Sequence, residues 1–132
     1  MLAAPAQPRD GGESWHARPS STGSWLEAVA YADENVAVAV GSQGTLVRSE
    51  DGGETWTPLT LNAKEWLYGV AFADGKRGWA VGERGVILRT DDGGASWVQQ
   101  ESNTRQHLYA LFFDKKVGFA VGGDGLVLRY ER

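Results

Sequence analysis

Apolar and polar positions alternate along this chain in short runs, separated by turns bearing glycine and aspartate. That is the pattern of strands rather than helices. In mid-chain, Leu67-Tyr68-Gly69-Val70-Ala71-Phe72 reads as a first strand and Gly78-Trp79-Ala80-Val81 as a second. Val86-Ile87-Leu88-Arg89-Thr90 reads as a third, and Ser96-Trp97-Val98-Gln99-Gln100 as a fourth. These runs are rich in β-branched and aromatic residues. The turn Gly82-Glu83-Arg84-Gly85 supplies residues for the positive φ that a tight hairpin needs. No segment sustains a helical period. Apolar runs such as residues 36–40 are far too short to cross a bilayer.

The same pattern recurs. Asp10, Asp51 and Asp92 each open an Asp-Gly-Gly triplet at steps of 41 residues, and Trp15, Trp56 and Trp97 follow in register. So do Trp25, Trp66 and His107, then Leu26, Leu67 and Leu108. Gly41/Gly44, Gly82/Gly85 and Gly122/Gly125 recur at 41 and then 40, one residue having dropped out near Asp114, as do Arg48, Arg89 and Arg129. The chain is therefore about three copies of one unit. A four-stranded antiparallel unit of this length is the signature of a β-propeller blade, so the expected class is all-β. Blades are expected over 24–60, 65–101 and 106–132, the last without its outer strand. Residues 1–18 form a tail and an outer strand that completes that last blade.

The 132 residues suit a single domain. Eighteen glycines and six tryptophans fit many tight turns between packed strands. The net charge of −4 and pI near 5.1 argue against a general nucleic-acid binder. There is no cysteine, which removes disulfides, thiolate metal sites and a cysteine nucleophile. The first seven residues have neither the basic start nor the long apolar run of an intact signal peptide.

Ser49-Glu50-Asp51-Gly52-Gly53-Glu54-Thr55-Trp56 and Thr90-Asp91-Asp92-Gly93-Gly94-Ala95-Ser96-Trp97 match the Asp-box pattern Ser/Thr-x-Asp-x-Gly-x-Thr-Trp, with Ser96 in place of the threonine. Pro8 to Trp15 matches without the leading hydroxyl. Asp boxes occur in sialidases and other repeats of the bacterial-neuraminidase (BNR) type. The whole unit, Ala-Val-Gly-x-x-Gly, then aliphatics and arginine, then the box, resembles the photosystem II stability/assembly factor family. That resemblance implies a propeller, seven-bladed in plants and cyanobacteria, with boxes on the blade periphery between strands three and four. It also implies an arginine-rich patch for partner binding, and an extracytoplasmic setting such as the periplasm or thylakoid lumen.

The boxes (Asp10, Gly12, Trp15; Asp51, Gly53, Trp56; Asp92, Gly94, Trp97) are expected to be structural. Each carboxylate is placed to accept from its own turn, and each indole to pack over it. Arg48, Arg89 and Arg129 recur in register and are expected to pair with an Asp-box carboxylate on the same or a neighbouring blade. Arg77 and Arg84 break the repeat and are the better candidates for a binding surface. Loops joining strand two to three share one propeller face with the residues that lead into each inner strand. Ser42-Gln43, Glu83-Arg84 and Gly123-Asp124 therefore lie near Trp25, Trp66 and His107, which either ring the mouth of a central channel or cover strand ends. His16 is expected to face solvent. No second histidine stands at ligand spacing, so no metal or cofactor is expected.

No catalytic constellation is recognisable. A sialidase would need a tyrosine nucleophile, a carboxylate acid and three convergent arginines, and the loops here are short and regular. The expected function is a non-enzymatic protein-binding scaffold with a protein client. A carbohydrate-binding or sialidase-related module is the alternative, and a designed or excised propeller fragment is a third reading. Three blades fall short of a ring, so a homodimer with six blades is expected, residues 14–17 of one copy pairing with the 108–130 blade of the other.

Overall fold

A computed structural model of the protein describes residues 14–131. Three antiparallel sheets follow one another. The first contains β1 (Leu26–Tyr31), β2 (Ala37–Gly41), β3 (Leu46–Ser49) and β4 (Thr57–Pro58), in that order. The second repeats it with β5 (Leu67–Phe72), β6 (Gly78–Gly82), β7 (Ile87–Thr90) and β8 (Val98–Gln100). The third holds β9 (Leu108–Asp114), β10 (Val117–Gly122) and β11 (Val127–Arg129). Each sheet is a meander whose first strand is innermost, and the inner strands β1, β5 and β9 lie side by side. The sheets therefore stack as propeller blades.

Burial follows the pleat, since alternate residues of a strand point to opposite faces. Ala28 and Ala30 of β1 pack with Val38, Val40, Leu67, Val70, Ala80 and Leu88 into the core between the first two blades. Val81, Leu108 and Ala120 form a smaller core between the second and third. Trp79, which is buried, stacks flat on Phe113 at 4.1 Å, with Tyr130 tilted against both rings.

The Asp boxes join the third strand to the fourth. Ser49 Oγ accepts from the Gly53 N–H at 2.8 Å and donates to Asp51 Oδ1, which in turn accepts from the Thr55 N–H. Thr90, Gly94, Asp92 and Ser96 repeat the arrangement one blade on. Trp56 and Trp97 donate their indole N–H to Gly53 and Gly94 O at 3.0 and 2.8 Å. Trp97 also meets Phe72 edge to face, and a side chain at Gly94 would come within 2.7 Å of Val38 in the preceding blade. The box of the second blade thus wedges that blade against the one before.

Of the first box, Asp10 and Gly12 lie outside the described residues. Trp15 does not pack over a turn as expected: it is 99% exposed. Residues 14–17 form no strand here. They lead to the first blade, where Arg18 pairs with Glu54 at 2.8 Å, and β11 lies at the other end of the stack. A strand needs a ladder partner, and β11, the edge expected to receive such a strand, belongs to the third blade. His16 is exposed.

Candidate functional site

The residues singled out from the sequence fall at two ends of the blades. At one end the inner strand begins and the hairpin from second to third strand turns over it. The Ser42, Glu83 and Gly123 N–H groups donate to the carbonyls of Trp25, Trp66 and His107 at 2.9–3.0 Å. This contact requires a glycine just before each donor, because a Cβ at Gly41, Gly82 or Gly122 would lie 1.7, 1.9 or 2.1 Å from that same carbonyl oxygen. The next residues, Gln43, Arg84 and Asp124, hold a left-handed φ of 54–58° although none is glycine.

One residue into each inner strand the register slips. Leu26 faces Gly41 but Ala28 faces Val40; Leu67 faces Gly82 but Gly69 faces Val81; Leu108 faces Gly122 but Ala110 faces Val121. The extra residues are Glu27, Tyr68 and Tyr109, one β-bulge per blade. A bulge bends the strand and re-aims its side chain. Here it adds two phenol rings to the row begun by the tryptophans. Trp25 meets Trp66 edge to face at 6.3 Å, Trp66 meets Tyr68 at 6.3 Å, Tyr68 meets Tyr109 at 5.2 Å, and Tyr109 meets His107 at 5.9 Å. The row crosses all three blades, and Trp25 and Tyr109 are 72% and 50% exposed.

Polar contacts hold the row in place. Glu83 Oε1 accepts from the Trp66 N–H at 3.1 Å, and His107 Nδ1 accepts from the Arg84 N–H at 3.0 Å, tying the second blade to the third. Partial burial, then Glu83, Tyr109 and Glu27, push the Tyr68 phenol above its ordinary pKa. The mouth is thus an aromatic surface with carboxylates beside it.

Trp25, Trp66, His107 and Arg84 all lie at this end. Arg77, the other arginine that breaks the repeat, does not. It sits in the hairpin between β5 and β6, a six-residue strand or roughly 20 Å away, paired with Asp74 at 3.1 Å. Asp74 also accepts from the Lys76 and Arg77 N–H groups, and these bonds, the Arg77 one foremost, hold its carboxyl below the usual range.

The repeated arginines pair within their own blade, but not with the box aspartates. Arg48 meets Glu50, Arg89 meets Asp91 and Arg129 meets Glu131, in each case the acid two residues on along the same edge. Position i+2 on an extended strand lies on the same side, whereas the box aspartate is already engaged by its turn. Arg48 also donates to Gly93 O of the next blade's box, and Arg89 lies 5.5 Å over the Trp79 ring. Asp51 and Asp92 are held at a pKa of about 2, chiefly by the hydroxyls of Thr55 and Ser96.

Glu27, Tyr68 and Tyr109 went unnoticed in the sequence. The available signal was their spacing, two residues beyond Trp25, Trp66 and His107 at the same 41-residue step. Among the described residues no group of three or more histidine, aspartate or glutamate side chains could hold a metal ion, and no helix is long and apolar enough to cross a membrane.

Two solved structures resemble the fold. One is YCF48 bound to a D1 peptide, 27% identical with a TM-score of 0.72, covering 83% of this chain and 38% of that one. The other is YCF48 from Cyanidioschyzon merolae, 24% identical with a TM-score of 0.78, covering 92% and 42%. The chain thus spans about two fifths of the length of these proteins. No curated protein matches it. The sequence matches the family described as photosynthesis system II assembly factor YCF48 over residues 6–89 and 55–110, which take in two of the three blades and the start of the third. With blade, Asp box and repeat all in agreement, the chain belongs to the YCF48 photosystem II assembly factor family.

Proposed function

We propose that the chain is a non-catalytic protein-binding scaffold whose aromatic mouth receives a segment of a client protein. The observation that carries this reading is the row from Trp25 to His107, a solvent-facing aromatic surface assembled from three blades and held in register by their bulges. Exposed aromatic rings that are already ordered bind peptide with little further loss of conformational freedom. The YCF48 structure carrying a D1 peptide supports a protein client, and family membership supports an extracytoplasmic setting. Calorimetric titration with a D1 peptide tests the reading. Binding that Trp25→Ala weakens several-fold, without loss of fold, is expected. Turnover of a fluorogenic sialoside, or sugar binding at the mouth with no peptide binding, would overturn it.

The second part of the proposal is a homodimer with six blades. Phe112, Phe119, Val121 and Val127 are exposed on the free face of the third blade, as are Val29 and Tyr31 on that of the first. Exposed apolar faces of this kind favour a partner. The contact of Arg18 with the first blade supports an N-terminal outer strand at this edge. Arg18 lies against Glu54, and 41 residues on, Leu59 and Ala95 line one cleft. A second copy would cover both faces, burying on the order of 2,000 Å². Light scattering should then report twice the 14.3 kDa chain mass, and removal of residues 1–18 should weaken the association. A stable monomer at micromolar concentration would refute it.

A further inference from the structure

The chemistry of the mouth is more specific than an aromatic surface. The bulge places one side chain per blade at the same point, and those three are Glu27, Tyr68 and Tyr109. The row therefore has a carboxylate in the first blade where the other two have phenol rings. Glu83 adds a second carboxylate, fixed in position by the Trp66 N–H. We infer that this mouth takes a cationic side chain, an arginine or lysine of an extended client peptide, over the Tyr68–Tyr109 pair with Glu27 and Glu83 as counter-charges. The inference rests on the reading of the mouth as the client site and names what that site selects.

The physical case is charge complementarity on an ordered surface. Tyrosine rings present a negative face to a cation within about 6 Å, and Tyr68 and Tyr109 stand 5.2 Å apart, a spacing that lets one planar guanidinium touch both. Because the Glu83 carboxylate is already held by a backbone N–H, little reorganisation is needed when a cation arrives. Burial does most to raise the Tyr68 pKa, and Glu83, Tyr109 and Glu27 add to it in that order. An anionic ligand would meet these carboxylates unfavourably. Lys64, Arg84 and Arg105 are also exposed on this rim, and they define the opposing outcome. If they choose the ligand, an acidic peptide binds better.

The test uses the full chain, tryptophan fluorescence and two matched probes, acetyl-Gly-Arg-Gly-Arg-Gly-amide and acetyl-Gly-Glu-Gly-Glu-Gly-amide, at low ionic strength. The arginine peptide should bind about tenfold more tightly than the glutamate peptide, and 0.5 M salt should narrow the gap. Glu83→Gln keeps the acceptor for the Trp66 N–H but removes the charge, and should cost the arginine peptide about three- to tenfold. Glu27→Gln, on an exposed residue, is the second variant and should act in the same direction without touching the fold. Equal binding of both probes, or preference for the acidic one, overturns the inference. If a D1 peptide still binds at the mouth in that case, the client reading stands and only the charge selectivity falls. If no peptide binds there at all, both fall.

Discussion

Replacing Gly82 by alanine should damage the fold and the mouth together. Gly82 is extended, at φ −171°, so alanine is not excluded by backbone conformation. The obstacle is space: its Cβ would lie 1.9 Å from the Trp66 carbonyl oxygen and 2.9 Å from Leu67 Cα. Ordinary contact needs about 3.5 Å, so the start of β5 must retreat by about 1.5 Å. That movement breaks the 2.9 Å hydrogen bond from the Glu83 N–H to Trp66 O, and a backbone hydrogen bond lost in a buried site costs about 1–3 kcal/mol. Overpacking adds about 1–3 kcal/mol. A total of about 2–6 kcal/mol corresponds to a fall in Tm of roughly 8–24 °C for a domain of this size. Thermal and urea melts followed by circular dichroism measure it. Two other glycines serve as controls. Gly125 has φ +75° and open space around it, so Gly125→Ala should cost only about 1 kcal/mol of backbone strain. Gly23 has neither constraint, and Gly23→Ala should stay within about 0.5 kcal/mol. A Gly82→Ala protein melting within about 2 °C of the parent would refute the close-approach argument.

The box hydroxyl is equally testable. Thr90 is buried and its Oγ1 accepts from the Gly94 N–H, so Thr90→Val, of the same shape, should cost about 1–3 kcal/mol in a urea melt while Thr90→Ser costs less. Acid stability follows from Asp51 and Asp92, both at about 2 in the folded protein against about 3.9 unfolded. The folded state binds fewer protons, so their contribution is complete above pH 4 and drains as pH falls towards 2. Tm should drop over that window, and the Asp51→Asn/Asp92→Asn double variant should show a flatter profile. Arg84→Glu should leave Tm within a few degrees because its side chain is exposed, whereas Arg89→Ala, losing Asp91 and its cover over Trp79, should cost about 1 kcal/mol in the same melts.

The blade was legible because its chemistry repeats. An Asp-Gly-Gly triplet, a tryptophan and a Gly-x-x-Gly turn at one fixed step have no simpler explanation than a stacked unit, and β5 to β8 fall within one or two residues of the strands read from the pattern. The mouth was half legible. Trp25, Trp66 and His107 were found by register, but Tyr68 and Tyr109 look like ordinary alternating strand residues. Their direction is set by a bulge, which depends on how two strands pair and leaves no mark in the hydrophobic pattern. Arg77 and Arg84 look alike in sequence because both depart from the repeat, yet a six-residue strand puts them at opposite ends. The partners of Arg48 and Arg89 were misjudged because the box aspartates are consumed by their own turns, a competition visible only once the hydrogen bonds are counted.

The most direct test of a client site at the mouth is the set of indole N–H resonances in a ¹H–¹⁵N spectrum, followed while a D1 peptide is added. Trp25 and Trp66 lie in the row, whereas Trp56 and Trp97 are bonded to Gly53 and Gly94 within the Asp boxes. The expected result is saturable shifts at Trp25 and Trp66 with Trp56 and Trp97 unmoved. Shifts confined to Trp56 and Trp97, with Trp25 and Trp66 still, would place the client on the blade periphery and contradict the assignment.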